Sequence, residues 1–202
     1  MLESGEYWRE SMTRFNAQNR VDATLISNLR IMRRTLINQI SKRCDKSKEI
    51  ITGVVHALLS RSIFIKYLEE RKDSNGETVF PQDFYCNFME SAKRYTDVLN
   101  SKEATYNLFR ILKDKFNGDT LQVSEIETEI ITQDDLDELR TFILGDSELE
   151  SRQLTLWPIY SFDIIPIQLI SSIYELFFHL SDEEDEKGTY YTPVSYTHLR
   201  AH

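Results

Sequence analysis

The chain has 202 residues, 41% of them hydrophobic, with only six glycines and four prolines, a composition that suits one helical domain and argues against a turn-rich β fold. Its charged start lacks the apolar run of a secretory signal peptide, and no apolar run approaches the ~20 residues that span a bilayer. The charge is asymmetric, +6 over residues 1–72 and −16 over 73–193. A strongly acidic chain is a poor general DNA binder, so only the basic N-terminal third could contact a nucleic-acid backbone, and solvated helix faces explain its charge equally well.

The N-terminal third predicts three helices, over about 5–16, 21–40 and 47–71. In the second, apolar residues step by three and four, and Ile26 and Ile37 widen the stripe, which consists of Leu25, Leu29, Met32, Leu36 and Ile40. We expect the basic residues of this helix to lie mostly off the stripe: Arg30, Arg33 and Arg34. The third helix has a broad apolar face formed by Ile51, Val54, Val55, Leu58, Leu59, Ile63 and Leu68.

Turn signals divide the remainder of the chain. A turn at 73–76 is followed by one turn of helix after Pro81, and then by helices at 88–99 and 103–115 with a turn at 116–119. Thr132 suits the N-cap of a helix that ends near Gly145, because Asp134 and Asp135 complement its positive end. Further on, the sequence predicts an extended connector at 154–162, a helix from Pro166 to about 180 and an acidic loop at 181–187. Together these elements predict a mainly α fold, an orthogonal multi-helix domain.

Catalytic and metal-binding signatures are missing from the sequence. It contains no Pro-Pro pair, no G-x-G, no P-loop and no H-E-x-x-H. His56 lies beside an apolar stripe and is expected at the edge of the core, and His179 is expected near a helix C-terminus. Cys44 and Cys86 have no metal or redox spacing, which indicates free thiols in a reducing cytosol. The acidic run 182–186 is best explained as a solvated loop, so we predict no catalytic residue and no metal site.

Two segments deserve a functional hypothesis beside a structural one. In the basic and aromatic segment 60–71, phosphates could be contacted by Arg61, Tyr67 and Arg71. The structural alternative, which we prefer, places Ile63, Phe64, Tyr67 and Leu68 in the core and pairs Glu70 and Arg71 with neighbours. In the second segment, 188–193, two tyrosines are followed by Thr-Pro, which suits the start of a helix. The N-terminus of a helix can bind an anionic group such as a carboxylate. The default interpretation of this segment is a structural turn.

Five pieces of the chain carry a family resemblance: 20–36, the pattern L-x-R-x-x-F-x-R-Y-L-E-D-R at 59–71, F-N-G-D at 116–119, S-F-D-x-I-P-x-E-L-L-S-S-I-Y-E at 161–175, and G-x-Y-Y-T-P at 188–193. In their order and spacing these pieces resemble adenine-N6-specific DNA methyltransferases of restriction-modification systems, and the resemblance as a whole extends over nearly all of 7–193. Among the departures from these patterns, the chain has Lys66 for Arg, Glu70 for Asp and Gln168 for Glu.

The resemblance implies a helical N-terminal domain followed by a Rossmann-like domain that uses S-adenosylmethionine and flips adenine out of double-stranded DNA. It implies a cofactor-binding role for Tyr190, Tyr191, Thr192 and Pro193. Because the glycine-rich cofactor motif and the Asn/Asp-Pro-Pro-Tyr loop are absent, we expect the chain itself to be inactive. Specificity or restriction subunits are the implied protein partners, without a membrane. The parent is a type I modification subunit or a fused restriction-methylation enzyme.

The expected organisation has three parts: a helical domain at 1–180, a linker and the start of a methyltransferase domain at 181–193, and a tail at 194–202. The tail, Val194–His202, resembles the translation of a transposase adapter used in sequencing libraries, so we expect it to be non-native.

The alternative hypothesis for the function belongs to another class of protein. It makes the chain a non-enzymatic helical module for DNA recognition or subunit contact.

Overall fold

Apolar residues spaced three and four apart build the first two helices. The computed structural model describes residues 25–116 and 121–145. Within these ranges residues 25–43 form α1 and Lys48–Glu70 form α2. The predicted stripe of α1 is confirmed, because each of its five members is at most 3% exposed. One expectation is wrong: Arg33 does not lie off the stripe, since it is only 2% exposed.

The remaining elements are short apart from α4. In chain order they are a 3-10 helix at Phe84–Asn87, α3 at Tyr95–Val98, α4 at Lys102–Phe116, α5 at Glu125–Ile130 and α6 at Gln133–Leu144. The described ranges contain no strand, and their isolated antiparallel bridge joins Lys72 to Thr78. The prediction of a mainly α fold is therefore confirmed for this part of the chain.

The long helix α2 is the centre of the core. Its N-cap is Ser47, whose side chain accepts a hydrogen bond from the backbone of Ile50, and its predicted apolar face is buried throughout. By length and composition α2 could cross a membrane, but 61% of its most apolar window is buried inside the domain. That burial is typical of a core helix.

The predicted turn after α2 is confirmed. Gly76 has a φ of +82°, which favours glycine, and its amide donates to the carbonyl of Asp73 at 3.0 Å. The Asp73 carboxylate also accepts from the amides of Glu77 (2.9 Å) and Asn75 (2.8 Å). These hydrogen bonds, from Glu77 first and Asn75 second, lower the pKa of Asp73.

The predicted helix at 88–99 is wrong for most of its length. Only Tyr95–Val98 is helical, and Ser91 before it has a φ of +67°. The amides that precede α3 find side-chain acceptors instead of helix carbonyls: Asp97 accepts from Lys93 and Arg94, and Glu69 of α2 accepts from Tyr95 at 2.7 Å. A new helix therefore starts at Tyr95, where a long-range contact holds it. The predicted turn of helix after Pro81 is confirmed as the 3-10 helix.

The C-terminal helices are fixed by their caps. The predicted N-cap Thr132 donates its amide (2.8 Å) and its hydroxyl (3.0 Å) to Asp135, and α6 ends as expected at Gly145, whose φ is +81°. Gln133 ties α6 to the start of α4, because its side chain accepts from the amide of Lys102 (2.7 Å) and donates to the carbonyl of Leu99 (2.8 Å). The predicted helix at 103–115 is confirmed as α4.

The ion pair between Arg43 and Asp135 joins the C-terminal end of α1 to the first turn of α6. One guanidinium nitrogen donates to Asp135 Oδ1 at 2.9 Å, and the other donates to Asp135 Oδ2 and, at 3.1 Å, to the carbonyl of Ile130. The carboxylate of Asp135 thus caps its own helix, α6, and also binds the arginine at the end of α1. A single buried side chain thereby sets the position of α6 against α1.

Several predictions fall outside the described residues. They are the helix at 5–16, most of the turn at 116–119, the connector at 154–162, the helix from Pro166 and the acidic loop that contains the run 182–186. The same holds for the boundaries of the three expected parts at 180 and 193, and for the tail.

Replacing Asp135 by Ala is expected to lower the free energy of unfolding by about 2–3 kcal/mol, because the change removes both a helix cap and the partner of Arg43. Asp134 is the matched control, since it is the neighbouring aspartate in the same helical turn but is exposed. Asp134→Ala should cost about 0.5 kcal/mol or less. Urea unfolding followed by circular dichroism measures both, and equal losses would contradict the assignment.

Candidate functional site

The four residues predicted to bind a cofactor, Tyr190, Tyr191, Thr192 and Pro193, lie outside the described residues, as does His179. The described candidates are the basic and aromatic segment of α2, His56 and the two cysteines. Each can be tested for the geometry that chemistry or ligand binding requires.

Arg61 is a core residue rather than a phosphate ligand. It is 0% exposed, and its guanidinium forms an ion pair with Glu127 of α5, which is 1% exposed. The other terminal nitrogen donates to the carbonyl of Gln122 at 2.6 Å, and the guanidinium carbon lies 4.9 Å from the ring centre of Phe109. Arg61 is itself fully buried and all these partners belong to the protein, which supports the structural interpretation of this residue.

The other members of the segment also act inside the domain. Tyr67 is 4% exposed and its hydroxyl accepts a hydrogen bond of 2.5 Å from Arg71, whose guanidinium lies over the Tyr67 ring. Glu70 pairs with Lys66 at 2.6 Å. As the structural interpretation predicts, Glu70 and Arg71 are paired with neighbours, Ile63, Tyr67 and Leu68 are buried, and Phe64 is partly buried and packs against the core.

Glu127 forms the second half of the Arg61 pair and reaches a tyrosine of α4. Its Oε1 accepts from both Arg61 and, at 3.2 Å, the hydroxyl of Tyr106. Burial raises the pKa of Glu127, and the charge and hydrogen bond of Arg61 counteract part of that rise. Burial, followed by the negative charge of Glu127, raises the pKa of Tyr106 as well. The three side chains thus connect α2, α4 and α5 through one polar contact in a low-dielectric interior.

A second buried polar pair lies close by. The hydroxyls of Ser62 and Tyr95 are 2.8 Å apart, and Ser62 also donates to the carbonyl of Leu58 at 2.8 Å. Tyr95 is fully buried, and this burial raises its pKa. A hydroxyl that keeps its proton and is enclosed by protein serves to orient α3 against α2.

Neither His56 nor the cysteines form a catalytic constellation. His56 is half-buried at the edge of the core, as predicted, and its Nε2 accepts from the Nε of Arg33 at 2.6 Å. Cys44 is half-buried and Cys86 exposed, both with free thiols as predicted. Within residues 25–116 and 121–145, no group of His, Cys, Asp and Glu could hold a metal ion.

A shallow groove of about 290 Å³ opens between the first half of α2 and the segment that leads into α5. Its floor and walls are mostly apolar, and two of the side chains, Ile50 and Ile126, remain 39% and 42% exposed. The lining residues are Glu49, Ile50, Gly53, Val54, Ala57, Gln122, Ser124, Ile126 and Glu127. Sequence periodicity could not reveal this groove, because α5 was not predicted.

The groove does not suit S-adenosylmethionine. Its volume lies at the lower limit for small-molecule sites, and its lining contains no aromatic side chain to stack on an adenine. A second depression, between α1, α2 and α6, has no room even for a water molecule and is bounded by Leu29, Leu59, Ser62, Ile63, Leu139, Phe142 and Ile143. Neither of these two depressions therefore has the size and lining that S-adenosylmethionine requires.

Replacing Arg61 by Met is expected to lower the free energy of unfolding at neutral pH by about 3–5 kcal/mol, because the ionised Glu127 is left buried without its partner. The loss should shrink as the pH falls. Without Arg61 the pKa of Glu127 in the folded state rises further above its unfolded value, so the native state gains protons and relative stability below that pKa.

Arg71→Met provides the control, since Arg71 is exposed and has only Tyr67 as its described contact. It should cost about 1 kcal/mol or less, with no added pH dependence. Urea unfolding of both variants at a series of pH values makes the comparison. A pH-independent loss in Arg61→Met would show that Glu127 is not ionised in the native protein.

No protein-family model matches this sequence, and no curated protein or solved structure is significantly similar to the chain.

Proposed function

We propose that the chain is the helical N-terminal part of an adenine-N6-specific DNA methyltransferase of a restriction-modification system. The observation that carries this proposal is the ordered series of five motifs along 20–193, above all the long pattern at 59–71. The parent enzyme transfers a methyl group from S-adenosylmethionine to adenine in double-stranded DNA and acts in the cytoplasm, with specificity or restriction subunits as partners. The described helical domain is compatible with that role.

The contacts of α2 support the proposal because they explain the fixed letters of the pattern at 59–71. The Leu, Arg, Tyr and second Leu of the pattern are the buried residues Leu59, Arg61, Tyr67 and Leu68. The Phe is Phe64, whose ring meets that of Phe116 edge to face at 5.9 Å. Thus the motif describes a helix that must satisfy a buried ion pair and an aromatic contact.

The two departures from this pattern also support it. Lys66 stands for Arg and Glu70 for Asp, and these two residues bind each other across one helical turn at 2.6 Å. Lys66 also contacts Glu69 at 2.7 Å, and although burial opposes its charge, the two carboxylates raise the pKa of Lys66 overall. A Lys-Glu pair can replace an Arg-Asp pair because the charges and the spacing of four residues are kept. The two departures from the pattern at 59–71 are therefore the two members of one ion pair, Lys66 and Glu70.

The residues of this chain contribute support rather than chemistry to the proposed enzyme. Arg61 and Glu127 hold the helices together, while the expected cofactor element, Tyr190 to Pro193, belongs to the start of the next domain. Bound S-adenosylmethionine supplies the methyl group there. We assign no catalytic step to the described residues, because neither of the two depressions described above fits this cofactor.

The alternative is a helical module that has no chemistry of its own and contacts DNA or another subunit. The groove beside α2 favours it, since an apolar depression with two exposed isoleucines is a feature of contact surfaces. Measuring how the chain binds duplex DNA over a series of salt concentrations distinguishes a module that contacts DNA from one that contacts another subunit. A steep salt dependence indicates phosphate contacts, and no binding at low salt leaves subunit contact.

Reading the intact gene tests the methyltransferase proposal directly. We expect an F-x-G-x-G motif and an Asn/Asp-Pro-Pro-Tyr motif in the sequence that follows Pro193. The first would bind the cofactor and the second would hold the flipped adenine. If neither motif follows within the next domain, the proposal fails.

The chain itself should transfer no methyl group to DNA and should bind no S-adenosylmethionine. Isothermal titration calorimetry measures the binding, with the intact enzyme as the positive control. Saturable binding by the 202-residue chain would contradict the assignment of the pocket to a following domain.

A further inference from the structure

The groove beside α2 has an unusual residue at its centre. Gly53 lies in the interior of a 23-residue helix, where glycine costs about 0.5–1 kcal/mol relative to alanine. No atom lies within 4 Å of the position that a Cβ would occupy, so none of its described neighbours requires a glycine there. The open space above Gly53 allows another backbone or a long side chain to approach α2 closely.

Apolar side chains surround this space on both sides. Ile50 precedes Gly53 by about one helical turn, Ala57 follows it by one turn, and Ile126 of α5 faces them across the groove. Ile50 and Ile126 are two of the four large apolar side chains that stay exposed among the described residues. Their convergence on one groove gives a docking partner apolar surface to bury.

The charged groups of the groove are acidic, and its other polar residues, Gln122 and Ser124, are neutral. Glu127 belongs to the lining, and its Oε1 already accepts from Arg61 and Tyr106, whereas its Oε2 has no hydrogen-bond donor among the described residues. Glu49 also belongs to the lining, and the exposed Glu125 lies next to Ile126. The lining contains no Lys or Arg. The charged side chains that line the groove are therefore all carboxylates, and a cation is favoured over an anion.

We propose that this groove is a docking site for a helix of a partner protein that carries leucine-like side chains and one central arginine or lysine. The apolar side chains cover Ile50 and Ile126, and the basic side chain passes over Gly53 toward Glu127. The volume of about 290 Å³ suits one long side chain rather than a whole small-molecule ligand. The inference does not depend on the proposed methyltransferase function.

A designed peptide tests the charge requirement. It is an alanine- and glutamine-based helix with leucines at positions i, i+3 and i+7 around a central arginine, labelled with a fluorophore, and its matched form has norleucine in place of the arginine. Fluorescence anisotropy with the 202-residue chain should show saturable binding of the arginine peptide. The norleucine peptide should bind about tenfold more weakly, which is the effect of one charge-assisted hydrogen bond.

Three variants test the location. Gly53→Leu fills the open space with a residue of better helix propensity, and Ile126→Asp places a charge on the apolar wall. Both should weaken binding of the arginine peptide by roughly tenfold or more. Ile111→Asp is the matched control, because Ile111 is equally exposed (44%) but belongs to α4 and does not line the groove. It should bind the peptide as the unchanged chain does, and circular dichroism verifies that all three variants are folded.

The following results would overturn the proposal. Equal binding of the two peptides, no binding of either, or equal losses in Ile126→Asp and Ile111→Asp would each contradict it. So would concentration-dependent dimerisation in analytical ultracentrifugation that Ile126→Asp abolishes, because the occupant would then be a second copy of the chain. If Gly53→Leu does not fold, the comparison between Ile126 and Ile111 still decides.

Discussion

The fold depends on one ion pair, between Arg61 and Glu127, that is enclosed by the protein. Arg61 and Glu127 are both essentially unexposed, and each has a further contact: Arg61 with a carbonyl and an aromatic ring, and Glu127 with a tyrosine hydroxyl. Desolvation of two charges is costly unless every partner is in place. The position of α5, and hence of the segment before it, is therefore specified by a side chain from the middle of α2. A hydrophobic replacement of both residues could hold the helices as firmly but with less demand for this one arrangement.

Two long-range contacts between an arginine and a carboxylate join early helices to late ones. Arg43 reaches Asp135, the residue that caps α6, and Arg61 reaches Glu127, which lies in the first turn of α5. In each case an early helix supplies the cation and a late helix supplies the carboxylate. The asymmetry of charge along the sequence, basic at first and acidic later, is thus partly an internal complementarity rather than a signal for an external polyanion.

The features that the sequence predicted well are those with a local cause. Spacing or turn chemistry explains the stripe of α1, the caps at Thr132 and Gly145, and the turn at 73–76.

The predictions that were wrong have long-range causes. Arg33 is buried where His56, 23 residues later, accepts a hydrogen bond from its Nε, and α3 starts at Tyr95, whose amide donates a hydrogen bond to Glu69. The helix α5 was missed although Ser124 and Glu127 form the signature of a helix start, since six residues give too little periodicity. The groove could not be foreseen without α5, and the expected cofactor element lies outside the described residues.

The separation between the charged partners also has a consequence for synthesis of the chain. Arg43 and Arg61 precede their carboxylates by 92 and 66 residues. At about 5–20 residues per second, a ribosome exposes both arginines for several seconds before Asp135 and Glu127 exist. During that interval Arg61 has no carboxylate partner, so the buried ion pair of the finished domain cannot form. We therefore expect the apolar residues of α2 to be accessible to chaperones until α5 and α6 have been synthesised.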